Sequence, residues 1–523
     1  MEKIKIYDTT LRDGMQAEGI SFSLDDKLLI AKHLSQLGFD YIEGGYASSN
    51  PKEMQFFLEA AKLNLKPAKI AGFGNTRRAD ATCQSDASLN AILACKTPVA
   101  TLVGKCWDLH VTEVLHCSLE ENIKICAESV EYMKNKKLEV IFDAEHFFDG
   151  YKKNPEYAMK VLAAVIDAKA DVIVLCETNG GCLPSEVHEI TKTVKQRFGK
   201  APLGIHCHND TDCAVANSLA AVHAGARHVQ GTINGLGERC GNANLCTIIP
   251  NLAIKMGYDV LTPDKIKMLT EASRYVSEIA NLPPATNMPY VGESAFAHKG
   301  GLHVDALRKN KKTYEHIDPA IVGNERRFLI SELSGKANIL AKLEKANIAQ
   351  DKELAQKILA QVQDLENKGY QFEAAEASFE LLVKKIMGTY KPFFELEKFH
   401  VTVEKNSGGK MVSQATIKLT VNGHTEHAIS EGDGPVDALY GAMCKSLERF
   451  YPNIREMHLI DYKVRIVNPA AGTAAITRVV IETRDKDAIW GTVGVSENII
   501  EASWQALVDS VEYKLIKDNC KVP

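Results

Sequence analysis

The chain has 523 residues, 45% hydrophobic and 25% charged, the balance of a folded globular protein rather than a disordered or fibrous one. Lys and Arg number 62 against 67 Asp and Glu, a formal net charge of -5, so no basic excess marks a nucleic acid or an anionic membrane as partner. No apolar run approaches the roughly 18 residues of a membrane span, and Met1 to Thr10 lacks the apolar region of a secretory leader, so a cytoplasmic protein acting on small molecules is expected.

Short β-branched runs alternate with longer segments of helical periodicity through the first half. Strands are predicted at Ile4–Tyr7, Asp40–Gly44, Lys69–Phe73, Pro98–Val103, Leu138–Phe142, Asp171–Leu175, Leu203–Cys207 and His228–Gly231. The helices that follow them are predicted at Asp25–Leu37, Pro51–Leu63, Gln84–Leu93, Leu119–Met133, Pro155–Ala168, Pro184–Arg197, Asp212–Ala224 and Ala243–Met256. Eight such units of about 32 residues predict an α/β fold built on a (β/α)8 TIM barrel. A doubly wound open sheet permits the same alternation. The count closing at eight, and polar residues following several different strands, favour the barrel, where all those positions meet at one mouth.

Residues 260–390 read as mainly helical, with a Pro/Gly-containing stretch at Leu282–Gly301, a charged helical run at Lys336–Met387 and a linker at Gly388–Pro392. Alternation then returns. Strands are predicted at Phe399–Glu404, Gln414–Val421, Lys463–Val467 and Ile476–Thr483, and helices at Val436–Arg449 and Ile499–Leu515. The expected division is a barrel over 1–275, helical linker subdomains over 276–392 and a C-terminal α+β domain over 393–523.

Arg12 and Asp13 stand just beyond the first strand, and His206 and His208 end the seventh. Side chains two apart on a strand share a face, so both imidazoles can reach one point in the barrel mouth. After the eighth strand comes a glycine-containing stretch from Gly231 to Asn244, which breaks the GxGxxG phosphate-binding spacing at Cys240 and offers Asn242 as a neutral oxygen ligand. One carboxylate, one carbonyl and two imidazoles suit an octahedral Mg²⁺ or Mn²⁺ better than a closed thiolate zinc site, although Zn²⁺ stays open. The 13 cysteines lack paired CxxC spacing and read as reduced thiols. Cys207 alternates away from the two imidazoles, toward the helix layer.

The segments DTTLRDG, HCHNDTDCAVANSLAAVHAGA and GTINGLGERCGNAN resemble the acyl-CoA:2-oxo acid condensing branch of the DRE-TIM metallolyases, the isopropylmalate, homocitrate and citramalate synthases. The resemblance extends to GGLHVDAL at 300–307 and to a C-terminal domain similar to the leucine- or isoleucine-sensing domain of that family. Within it, SFSLDDK, YIEGGYASSNPKE, GFGNTRRA and EGDGPVDAL look most like the long citramalate synthases. One departure is visible: Asp212 stands where many relatives have Gly, which could alter the start of the seventh helix.

The resemblance implies a Claisen condensation of acetyl-CoA with a 2-oxo acid, pyruvate as in the citramalate synthases or, as the alternative, 2-oxoisovalerate as in the isopropylmalate synthases, followed by thioester hydrolysis. It assigns Asp13, His206, His208 and Asn242 to the metal and Arg12 to the developing oxyanion. Thr178 falls to the substrate carboxylate, Glu145 and His303 are candidate bases, and Tyr314 assists. It further implies a homodimer, a regulatory role for residues 393–523 and isoleucine as feedback effector.

Overall fold

Most barrel helices begin where the sequence supplies a cap. Ser23 and Asp26 form a reciprocal capping box at the start of Leu24–Leu37, and Asn50, Asp86, Ser118 and Asn154 each accept a backbone N–H at the starts of Pro51–Ala60, Ala87–Ala94, Leu119–Asn135 and Pro155–Asp167. Pro51 and Pro155 occupy first helical positions, where a missing N–H costs nothing.

The computed structural model describes residues 2–330, 336–345, 352–405, 409, 411–468, 472 and 474–521. It divides into two compact units, Met1–Phe296 with Ile317–Arg326, and Ala297–His316 with Arg327–Pro523.

In the first unit eight parallel strands close into a barrel: β1 (Lys5–Asp8), β2 (Tyr41–Tyr46), β3 (Lys69–Asn75), β4 (Val99–Lys105), β5 (Glu139–Glu145), β6 (Val172–Glu177), β7 (Leu203–Cys207) and β8 (His228–Gly231). β1 pairs with both β2 and β8, which rules out the open sheet. Inward side chains, among them Tyr7, Tyr41, Ala71, Val99, Ile141 and Val174, fill the barrel, while the outward ones pack under the helices. Cys207 is buried in that outer layer beside Ser218. β4, β5 and β6 each run two or three residues past their predicted ends. Lys105 and Glu145 are register partners and form an ion pair, so the ladder persists through polar residues that periodicity assigns to loops. Short helices at Asp108–Glu113 and Phe147–Lys153, which periodicity does not predict, follow β4 and β5.

The second unit contains a two-stranded pair, β9 (Ala297–His298) and β10 (Arg327–Phe328), and helices at Gly301–Lys309, Lys336–Lys345, Lys352–Asn367 and Glu376–Ile386. The charged run at 336–387 is thus three helices, and its residues 346–351 lie outside the described residues. Two antiparallel meanders follow. One comprises β11 (Glu395–Lys405), β12 (Met411–Val421) and β13 (His424–Gly432), then a helix at Pro435–Leu447. The other comprises β14 (His458–Ile466), β15 (Thr477–Arg484) and β16 (Ile489–Ser496), then a helix at Ile499–Lys517. The repeated βββα order buries alternate residues of the middle strand, such as Ala415, Ile417 and Leu419, against the helices.

Periodicity does not predict β13 or β16. β16 carries Gly491 and Gly494, and a Cβ at either would meet the backbone oxygen of Ala374 or Ala502 at 2.0 Å. Close backbone approach replaces the side-chain alternation that marks a strand.

Asp212 has φ +57°, in the left-handed region that favours Gly, and the helix it precedes starts only at Ala214. Asn209 Nδ2 donates to Asp212 Oδ1 at 3.2 Å, one of the local contacts that let Asp occupy this region. Asp212→Val should therefore lower stability by about 1–2 kcal/mol, while Asp212→Gly should leave the thermal midpoint nearly unchanged. Equal losses in both variants would assign the effect to the Asn209 hydrogen bond instead.

Candidate metal centre and active site

A tight turn after β1 delivers Arg12 and Asp13 to the barrel mouth: the N–H groups of Arg12 and Gly14 both donate to Thr9 O, at 3.2 and 3.0 Å. Arg12 is then clamped. Its Nε donates to Glu43 Oε2 at 2.6 Å, its NH1 to Asp13 Oδ2 at 3.1 Å, and its guanidinium lies 4.0 Å from the centroid of the Phe73 ring. Glu43, wholly buried on β2, also accepts from Tyr7 Oη and Thr9 Oγ1, each at 2.6 Å. Burial opposes the charged form of Arg12, but Glu43 and Asp13 outweigh it and keep the guanidinium protonated.

Asp13, His206 and His208 converge, with one donor atom from each lying within 4.8 Å of the others. His206 Nε2 is 3.4 Å from both Asp13 Oδ2 and His208 Nε2. Asn242 faces His208 across an antiparallel bridge, its Nδ2 donating to Leu236 O at 3.2 Å. A Cβ on Gly237 would come within 2.0 Å of that amide nitrogen, so the glycine at this point makes room for Asn242. Asp13 Oδ1, His208 Nδ1 and Asn242 Oδ1 are buried without a hydrogen-bond partner among the described residues. Buried unpaired acceptors around two facing imidazole nitrogens are costly in isolation and fit a divalent cation. Burial disfavours the Asp13 carboxylate, yet Arg12 and the imidazoles hold its carboxyl below the usual range. His208 is pushed down to about 4, by burial and then by His206, which leaves it the neutral base that a metal requires.

A cavity of about 490 Å³ opens over this cluster. Arg12, Asp13, Asp143, Glu145, Thr178, His206 and His208 line it, with Phe73 and Val103 among its apolar walls. Glu145, expected just after the fifth strand, is the last residue of β5 and is paired with Lys105. Thr178 Oγ1 accepts the His146 N–H at 2.9 Å. Asp143 is buried and pushed up to about 7, chiefly by that burial and then by Glu43. His303 and Tyr314 belong to the second unit, where their rings stack 4.0 Å apart. Cys240 is exposed, and all 13 cysteines are unpaired.

Sequence reasoning missed Glu43, Asp143 and Gln230. The first two announce themselves only as carboxylates inside the apolar runs YIEGG and VIFDAE.

Residues 3–276 match the HMGL-like family, 290–370 the homocitrate synthase post-HMGL domain-like family and 373–515 the LeuA allosteric (dimerisation) domain. The chain is 55% identical over 521 residues to the (R)-citramalate synthase of Aquifex aeolicus, covering 99% of both proteins. It is 54% identical over 522 residues to that of Geobacter sulfurreducens, again covering 99% of both. The chain belongs to the (R)-citramalate synthase family. A probable 2-isopropylmalate synthase of Methanopyrus kandleri is more distant, at 32% identity over 514 residues and 98% of each chain. Among the described residues no helix is long and apolar enough to cross a membrane.

In this citramalate synthase relative, replacing Glu43 by Leu would leave the buried Arg12 guanidinium without its strongest partner. The expected loss is about 3–5 kcal/mol, read as a lower denaturant midpoint for the barrel. An unchanged midpoint would show that Asp13 alone compensates Arg12.

Proposed function

We propose that this chain condenses acetyl-CoA with pyruvate and hydrolyses the thioester, giving citramalate and CoA at the start of isoleucine formation from pyruvate. The observation that carries the reading is the convergence of Asp13, His206 and His208 beside the clamped Arg12, within a chain that matches citramalate synthases from end to end. We assign the catalytic barrel to 1–275, helical linker subdomains to 276–392 and the regulatory domain to 393–523.

Asp13, His206, His208 and Asn242 would hold the cation, Mg²⁺ or Mn²⁺ in preference to Zn²⁺. When bound, it supplies Lewis-acid polarisation of the 2-oxo acid ketone. Arg12 adds a fixed positive charge beside that oxygen, and its clamp to Glu43 and Phe73 means that little reorganisation is needed as negative charge develops. The Thr178 hydroxyl, which accepts the His146 N–H, can donate its own proton to the substrate carboxylate. Removal of the acetyl methyl proton falls to Glu145 or His303, with Tyr314 assisting through its stack on the His303 ring.

The match of residues 373–515 to an allosteric (dimerisation) domain supports a homodimer with an effector site, which we assign to isoleucine. Release of free CoA tests the whole reading. With Mn²⁺ and acetyl-CoA, turnover should be highest on pyruvate among pyruvate, 2-oxobutyrate, 2-oxoisovalerate and 2-oxoglutarate, and isoleucine should lower it. Preference for 2-oxoisovalerate would move the chain to the isopropylmalate synthases, and insensitivity to isoleucine would reject the effector.

A further inference from the structure

His206 can offer a lone pair from Nε2 only if its proton sits on Nδ1. Nδ1 lies 2.9 Å from Gln230 Oε1 on the neighbouring strand β8. An amide can present either end, and its NH2 end at this place would favour the opposite tautomer, with Nε2 protonated and unable to ligate. Asp143 decides between them. From β5 its Oδ1 accepts a hydrogen bond from Gln230 Nε2 at 3.0 Å, which turns the Gln230 carbonyl toward His206. All three side chains are buried, at 3% exposure for Asp143, 0% for Gln230 and 5% for His206, so the chain is largely shielded from bulk water. His208 has no such arrangement, since its Nδ1 lacks a partner among the described residues.

We propose that Gln230 and Asp143 are positioning residues that fix the His206 tautomer for a divalent cation. The proposal rests on the reading that Asp13, His206 and His208 hold that cation. The Asp143–Gln230–His206 chain runs through the barrel interior, linking three strands, and it polarises the imidazole as well as orienting it. Its polarity is set at one end by an acceptor. Exchanging donor and acceptor roles at both ends together should therefore preserve its effect.

The test is calorimetric titration of the metal-stripped full-length protein with Mn²⁺. Gln230→Met, close in shape but without an acceptor for Nδ1–H, should weaken Mn²⁺ binding by about 10–100-fold. Gln230→Glu should also weaken it, because the new carboxylate faces Asp143. Adding Asp143→Asn, whose amide can donate to that carboxylate, should bring affinity back toward that of the unaltered protein. In the metal-free protein, ¹⁵N and ¹H shifts of the His206 ring should report a hydrogen-bonded Nδ1 proton, and that signal should be lost in Gln230→Met, a change that a packing defect alone does not produce. Unchanged affinity in Gln230→Met while His206→Ala abolishes binding would overturn the positioning role. Undiminished binding in His206→Ala would reject the cation reading beneath it.

Discussion

The barrel mouth is organised around one buried charge. Arg12 sits between Glu43 and Asp13, and each of those carboxylates also binds elsewhere. Glu43 gathers Tyr7 and Thr9 from the first strand and its turn, and Asp13 meets the two imidazoles. A guanidinium so placed cannot leave without stranding two buried acids, so the turn after β1 has one arrangement open to it. That constraint holds the Asp13 carboxylate beside His206 and His208, and it sets a positive charge next to the point where the donors converge.

The main part of the fold and half of the site are legible in the sequence because they depend on spacing. Eight alternations close the barrel, and Arg12, Asp13, His206 and His208 stand out at or just beyond strand ends because those ends converge in such a fold, whereas Thr178 is implied only by the family resemblance. Glu43, Asp143 and Gln230 depend instead on which residue lies across the barrel: a carboxylate inside an apolar run marks the first two, but no spacing gives their partners. Tyr7 and Thr9 meet Glu43 from β1 and the turn after it, and Gln230 meets Asp143 from β8 to β5. β16 is hidden for a related reason, since Gly491 and Gly494 serve neighbouring backbone rather than strand alternation.

The second unit follows a different logic. Its two βββα repeats place a helix on one face of each three-stranded sheet, with Trp490, Trp504 and Ile481 in a shared core. Its ion pairs hold local geometry: Lys514, nearly inaccessible, meets Asp485, Glu456 and Asp518 at 2.7, 3.2 and 2.9 Å. Burial is tolerable for this lysine because three carboxylates surround it. The barrel and the two βββα repeats are thus carried by separate cores.

If the Arg12-anchored turn and the imidazoles at the end of β7 form one cation site, Mn²⁺ must bind where Asp13, His206 and His208 converge. Anomalous diffraction from crystals of the full chain soaked with Mn²⁺ tests it most directly. The expected result is a single strong peak bonded to Asp13, His206 Nε2 and His208 Nε2, with Asn242 Oδ1 within reach. A peak that avoids Asp13 and both imidazoles, with that site free of manganese, would contradict it.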